Sequence, residues 1–319
     1  MTARLRIGVC LGSVAALAIG WALAPSSAIT TLCLYIVVAQ SWNLIGGLTG
    51  YASFGQVVFF GVGGYAVGLL MVEGGLSFWL ALPLGAFVAA LYAVVLGLPL
   101  LRLRGDYFAV ATLVAAEATQ ALAAWQPAIL GQGAGLTITT VGEHRNTHYL
   151  GSAGFAALSA VLALVTVVVV AGVRRSRFGA GLRVIRDDEQ LAGALGVKAG
   201  RSKLLVFALS GLLAGLAGGV EAFRAVVLTP GQMFDPKITV LTIAMVVVGG
   251  VGTTFGPVVG AVVLTLLSAA IGAVLPSAGD FVLAVIIVAT VVVTPRGLLG
   301  NGLAFRALWS PNRTDGATP

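Results

Sequence analysis

The sequence predicts an all-α fold: a polytopic transmembrane helical bundle of about 8–10 helices, some of them broken or re-entrant. Three observations carry that prediction. Hydrophobic residues fill 59% of the 319 positions and charged residues only 9%, whereas a soluble domain carries about 25% charged residues. Runs such as 29–48 and 78–101 are long enough to cross a hydrocarbon core, which takes about 20 apolar residues. The chain also holds 44 glycines, a residue that lets membrane helices approach closely.

Apolar runs separated by polar breaks place the segments near 7–24, 29–48, 53–72, 78–101, 107–124, 155–173, 204–226, 238–250, 256–275 and 281–295. The first is preceded by Arg4 and Arg6 and ends in Ala22-Leu23-Ala24, in the manner of a cleavable signal peptide. Its length is enough to span, which favours a retained helix. Segment 238–250 is short and bounded by glycine; it and 53–72 are candidates for broken or re-entrant elements, which would lower the count of ten crossings to eight or nine. With a cytoplasmic N-terminus, Arg102, Arg104, the 174–203 loop and Arg296, Arg306 and Arg313 all fall inside, and the 125–152 loop with its single Arg145 falls outside. That distribution follows the positive-inside rule. Residues 1–303 form one transmembrane domain and 304–319 a short cytoplasmic tail.

Several chemistries are excluded. The net charge of +7 belongs to cytoplasmic loops rather than to a soluble basic domain, so nucleic acid is not a partner. No G-x-x-x-x-G-K-[ST] occurs: Lys198, Lys203 and Lys237 are followed by Ala, Leu and Ile, so the chain has no phosphate-binding P-loop of its own. Gly61-Val62-Gly63-Gly64 lies in an apolar helix without a flanking strand. Cys10 and Cys33 sit in apolar segments and read as small packing residues. Glu143, His144 and His148 share a polar loop but make too few ligands for a metal site. No nucleophile, base and acid converge, and an enzyme is not expected.

Gly211, Gly215 and Gly219 recur one turn apart, as do Gly252, Gly256 and Gly260; tight packing within the chain is the preferred explanation, ahead of a dimer seam. Gly46-Gly47 with Gly50, and Gly249-Gly250 with Gly252, read as helix breaks. Irregular backbone at membrane depth survives only inside protein or beside a water-filled cavity, so both are candidates for lining a path. Embedded ionisable groups are few: Glu117, Glu221, Arg224 and Asp106. Glu221 and Arg224 are three apart near the outer boundary and form a self-compensating pair. Glu117 sits deeper, where it either lines a cavity or bonds a neighbouring helix.

Residues 174–203 gather eight Lys/Arg and three Asp/Glu, eleven of the chain's 29 charged residues. Arg186-Asp187-Asp188-Glu189 followed by 190–195 and Gly196 has the grammar of a short helix, with Asp187 or Asp188 at its N-cap and Gly196 in a left-handed cap. Leu191, Ala192 and Leu195 would give it one small apolar face. A plain connector needs about two to eight residues; thirty with a built-in helix suit a docking element for a cytoplasmic partner.

These residues resemble a family. "SRFGAGLRVIRDDEQLAGALGV" followed by "KLLVFALSGLLAGLAGG" looks like the cytoplasmic loop and next helix of the branched-chain amino acid ABC-transporter permeases of the LivM type. "WNLIGGLTGYASFGQVVFFGVGGYA", "LRLRGDYFAVATLVAAE", "VVVGGVGTTFGPVVGA" and "TPRGLLG" follow in the family's order, so the resemblance covers about residues 30–300. It implies a substrate-translocating subunit of a type II ABC importer in the bacterial inner membrane. Such a subunit would work with a second, LivH-like permease, two cytoplasmic ABC ATPase subunits and an extracytoplasmic substrate-binding protein. ATP and Mg would sit on the ATPases, with no cofactor on this chain. By match to the motif, Arg186, Asp188, Glu189, Leu191, Ala192, Leu195 and Gly196 would form the coupling element. Ser53, Gln56, Phe59, Glu117, Gly250 and Gly252 would border the translocation path. The implied solute is a branched-chain or other small apolar amino acid. A urea or short-amide permease is the alternative within the class, and an ion-coupled secondary transporter the alternative outside it.

Overall fold

The computed structural model describes residues 26–103, 105–125, 135–138, 150–274 and 285. Segments 7–24 and 281–295, Cys10, the 143–148 loop, the C-terminal arginines and the tail lie outside the described residues, as does Arg104.

Among the described residues the chain is a bundle of eleven helices in order. They are α1 (Ser26–Trp42), α2 (Gln56–Val72), α3 (Phe78–Leu100), α4 (Asp106–Trp125), α5 (Ser152–Arg175), α6 (Arg177–Asp187), α7 (Glu189–Ala194), α8 (Ala199–Ala225), α9 (Pro230–Met233), α10 (Pro236–Gly249) and α11 (Gly256–Val274). Among the described residues six stretches are long and apolar enough to cross a membrane: Ser26–Gly47, Phe78–Leu100, Asp106–Trp125, Ser152–Arg175, Ala199–Ala225 and Pro230–Gly249. Gln56–Val72 and Gly256–Gly272 are shorter apolar helices. Eight of the ten segments expected from the sequence therefore have a helical counterpart. A two-residue antiparallel pairing joins β1 (Leu136–Thr137) to β2 (Val227–Leu228), at the end of α8 farthest from the charged loop.

Alpha-8 is the central post, packed along α2 and α3; α1 packs on α5, and α10 on α11. Small residues bring these helices together. A methyl group on Gly211 would meet the Ala93 side chain and the Ala89 carbonyl, and one on Gly219 would meet Leu82 and Val67. Gly215 faces Ala89 and Ala86 on α3, and Gly63 of α2 packs on the Gly215 backbone. The four-residue glycine spacing thus serves packing within the chain, where lipid supplies no hydrophobic drive between helices.

Both predicted glycine breaks end helices. The first ends α1, which tightens into a π-helical turn at Asn43–Gly47 and stops at Gly50, whose φ is +76°. From there the chain climbs back beside the helix it has just left. The Ser53 carbonyl accepts a bond from Trp42 Nε1 at 2.7 Å, and Gln56 Nε2 donates to Ser41 Oγ at 2.7 Å. Alpha-2 thus starts partway through the bundle, and its 17 residues span about 26 Å. The second break ends α10 at Gly249 and likewise returns along α1 before α11 begins. Helices α2 and α10 are themselves continuous; the irregular backbone lies in the turns beside them.

Candidate functional site

The charged stretch folds into two helices, not one. Ser176 caps α6 by accepting from the Gly179 amide at 3.1 Å. Alpha-6 buries Leu182 and Ile185 and leaves its arginines outside. Asp188 then breaks the chain in extended conformation and caps α7, its Oδ1 accepting from the Gln190 and Leu191 amides at 2.7 and 3.1 Å. Gly196, at φ +79°, closes that helix, with Val197 N–H donating to the Ala192 carbonyl. The N-cap and left-handed C-cap match the expectation from sequence. The single apolar face does not. Ala192 is fully buried against the bundle, while Leu191 and Leu195 point away, 51% and 64% exposed. Six residues turn through nearly two helical turns, so neighbours at 191 and 192 diverge by about 100°.

Side-chain bonds hold this pair of helices to the membrane bundle, among them one from Arg183 Nη1 to the Arg174 carbonyl of α5 at 2.7 Å. Arg186 Nη1 donates to the Gly47 carbonyl at 2.7 Å, on the backbone that the π-turn exposes. Lys203, 3% exposed, forms an ion pair with Glu189 at 2.7 Å. Its ammonium also donates to Tyr51 Oη at 3.0 Å and to the Leu101 carbonyl at 3.3 Å. The Tyr51 hydroxyl donates in turn to the other Glu189 oxygen at 2.8 Å. Burial pushes the Tyr51 phenol above its ordinary pKa, against the pull of the Lys203 hydrogen bond. From Tyr51 a run of edge-to-face rings, Tyr51–Phe108–Phe207–Phe59, leads into the bundle.

A buried polar spine along α1 meets this run. Asn43 binds the second glycine turn with both ends of its amide: Oδ1 accepts from the Gly252 amide and Nδ2 donates to the Thr253 carbonyl, each at 2.9 Å. One turn farther in, Gln40 Nε2 donates to the Thr254 carbonyl at 2.6 Å, and its Oε1 is a buried acceptor without a partner among the described residues. Gln56 joins Ser41 to Ser210 across α1, α2 and α8. Thr239 and Thr112 hydroxyls satisfy the amides of Val57 and Phe54 where α2 starts. Every exposed backbone donor at this depth has to find such a partner, because hydrocarbon offers none.

Of the path residues named from sequence, Ser53, Gln56 and Phe59 are buried inside the chain, and Gly250 and Gly252 lie in the second turn against Gly47. These five come together around the end of α1. Glu117 does not join them: it lies on the exposed outer face of α4. Sequence reasoning missed Gln40, Asn43, Tyr51 and Lys203. Two buried amides in "VVAQSWNLIGG" were the signal available, since such side chains are rarely placed in a membrane core without a partner to bind.

The fold and this site define a multi-pass helical membrane protein whose basic loop is fastened to the turns of its own spanning helices. Residues 24–292 match the family described as "Branched-chain amino acid transport system / permease component", and the chain belongs to that family. It is 30% identical over 260 residues to the high-affinity branched-chain amino acid transport system permease protein LivM of Salmonella typhimurium, covering 74% of this chain and 61% of that protein. The LivM of Escherichia coli K12 matches to the same extent. A probable branched-chain amino acid transport permease protein LivH of Methanocaldococcus jannaschii is 27% identical over 160 residues, 46% of this chain and 50% of the relative. The chain thus spans about three fifths of the length of the LivM proteins. No solved structure matches it.

Proposed function

We propose that this chain is the membrane-spanning permease subunit of an ATP-driven importer for branched-chain or other small apolar amino acids, the solutes named for its relatives. Its partners in that role are a second permease resembling the LivH proteins, two cytoplasmic ABC ATPases that hold ATP and Mg, and an extracytoplasmic binding protein. The chain sits in the inner membrane with both termini and the 174–203 loop in the cytoplasm.

The observation that carries this reading is the division of labour in α7. Leu191 and Leu195 point outward, free to fill a groove on an ATPase, while Glu189 ties the same short helix to α8 and Arg186, at the end of the adjoining α6, ties that helix to the end of α1. A displacement of α7 is therefore passed on through an ion pair and a charge-assisted hydrogen bond, both stronger than neutral contacts. Arg186 touches both glycine turns, and the Gln56–Ser41–Ser210 cluster lies about two turns along α8 from Lys203. Closing and opening of the ATPase pair would tilt α1 and α8 and switch access from one side of the membrane to the other.

Co-purification with the ATPases tests it. Leu191→Asp with Leu195→Asp is expected to abolish ATPase association while the permease remains folded; association unchanged by both aspartates would remove α7 as the contact.

A further inference from the structure

At the end of the bundle remote from the charged loop, a cavity of about 490 Å³ opens between α1, α8 and the α9–α10 stretch. Its position follows from α8: Lys203 sits in the cytoplasmic turn, and Arg224 in the last turn, 21 residues and about 30 Å farther along. One wall is apolar, made by Leu34, Val38, Phe60 and Met233, all nearly fully buried. The other carries both signs of charge. Glu221 and Arg224 are paired one turn apart, Nε to Oε2 at 2.8 Å and Nη2 to Oε1 at 2.6 Å. Their side chains are 22% and 31% exposed, and both line the cavity.

Pairing does not exhaust either group. A guanidinium has five N–H donors and a carboxylate about four acceptor positions, and the bidentate contact uses two of each. What remains has fixed polarity, positive toward the end of α8 and negative one turn back. A solute with an α-carboxylate and an α-ammonium can lie antiparallel to this pair, carboxylate on Arg224 and ammonium on Glu221. Four charges then alternate and the cavity stays neutral. A solute with only one of the two charges would satisfy only one member of the pair and leave its own charge uncompensated in a partly buried site. The apolar wall beside the pair would take the side chain of such a zwitterion, in the usual pattern of a ligand site with few polar groups on an apolar surface.

We propose that this cavity is a subsite for a free zwitterionic amino acid with an aliphatic side chain, on the side where solute enters. The proposal rests on the importer reading and adds where, and by which groups, the permease itself holds its cargo.

The test uses the full chain in lipid nanodiscs and its thermal unfolding with leucine, leucinamide or 4-methylpentanoate, since ligand that binds the folded state raises Tm with concentration. Leucine is expected to raise Tm, and the singly charged analogues are expected to leave it unchanged at equal concentration. Arg224→Gln and Glu221→Gln should each demand at least tenfold more leucine for the same shift, with Arg224→Lys falling between. Thr31→Trp, which fills the cavity while leaving the pair intact, should also remove the shift and covers the case in which a charge variant fails to fold. Equal shifts from all three compounds, no shift with leucine, or an undiminished shift in the variants would overturn the proposal. ATP-driven leucine uptake by the complete importer, measured alongside, separates the two levels. Uptake without leucine-specific stabilisation removes the subsite alone, and absence of uptake removes the importer reading.

Discussion

Lys203 at the start of α8 and Glu189 at the start of α7 lie 2.7 Å apart, with the Tyr51 hydroxyl bonded to both. The lysine is almost wholly buried, so its charge is tolerated only because the carboxylate, the phenol and the Leu101 carbonyl surround it. Removing one member of a buried pair costs about 3–5 kcal/mol when both are enclosed; with Glu189 one-fifth exposed, about 2–3 kcal/mol is expected for Glu189→Ala. Lys203→Met, which removes the charge together with its need for a partner, should cost less. Thermal melting of both variants in detergent checks the order, and a larger loss for Lys203→Met would contradict it.

The contact of the two glycine turns makes a second prediction. Gly252 has φ +72°, and a methyl group there would stand 2.8 Å from Arg186 Nη1 and 2.9 Å from the Gly47 carbonyl. Gly252→Ala should therefore destabilise by about 1–3 kcal/mol from backbone strain alone and weaken the Arg186 fastener besides. Gly172→Ala is the control: that helical glycine has nothing within 4 Å of the added methyl. It should gain about 0.5–1 kcal/mol. Melting curves that rank the two the other way would refute the packing described.

On α7, position decides the phenotype. Leu195→Ala is expected to leave Tm unchanged, because the side chain is mostly exposed, and to weaken ATPase binding. Ala192→Leu should do the reverse, lowering Tm because the site is fully buried and overpacking costs about 1–3 kcal/mol. Pull-down and melting on the same preparations separate the two effects.

Much of this was legible in the sequence for physical reasons. Hydropathy places helices because a spanning segment must be apolar for about 20 residues, and eight of the predicted segments have helices. The Asp187-Asp188 pair and Gly196 announced the caps, with the choice of Asp188 left to the structure, because capping is local chemistry within three or four residues. Alpha-6 was missed although Phe178, Leu182 and Ile185 recur at helical spacing, because the arginines and glycines among them read as a loop. The directions of Leu191 and Ala192 were also out of reach, since they depend on Val197, Lys203 and Tyr51 pinning α7 from outside. The partnership of Asn43 with Gly252 spans 209 positions, and nothing in local pattern marks it.

Glu117 carries a fourth prediction. It stands about 16 Å along α4 from Asp106, on a face with Val110, Leu113 and Val114 exposed. Hydrocarbon cannot cover a carboxylate there without a cost of about 2.5–3.5 kcal/mol, so the second permease is expected to lie against this face. Leu113→Cys and Glu117→Cys should cross-link to the partner subunit in the assembled complex, whereas a cysteine at Val165 on the exposed side of α5 should not. Cross-linking from Val165 alone would place the interface elsewhere.

The most direct test of the account is uptake of radiolabelled leucine into proteoliposomes holding this chain, its permease partner, the two ATPases and the binding protein. The account predicts accumulation that requires ATP and the binding protein, ignores an imposed proton or sodium gradient, and is lost when Leu191 and Leu195 are both aspartate. Gradient-driven uptake by this chain without the ATPases would contradict it.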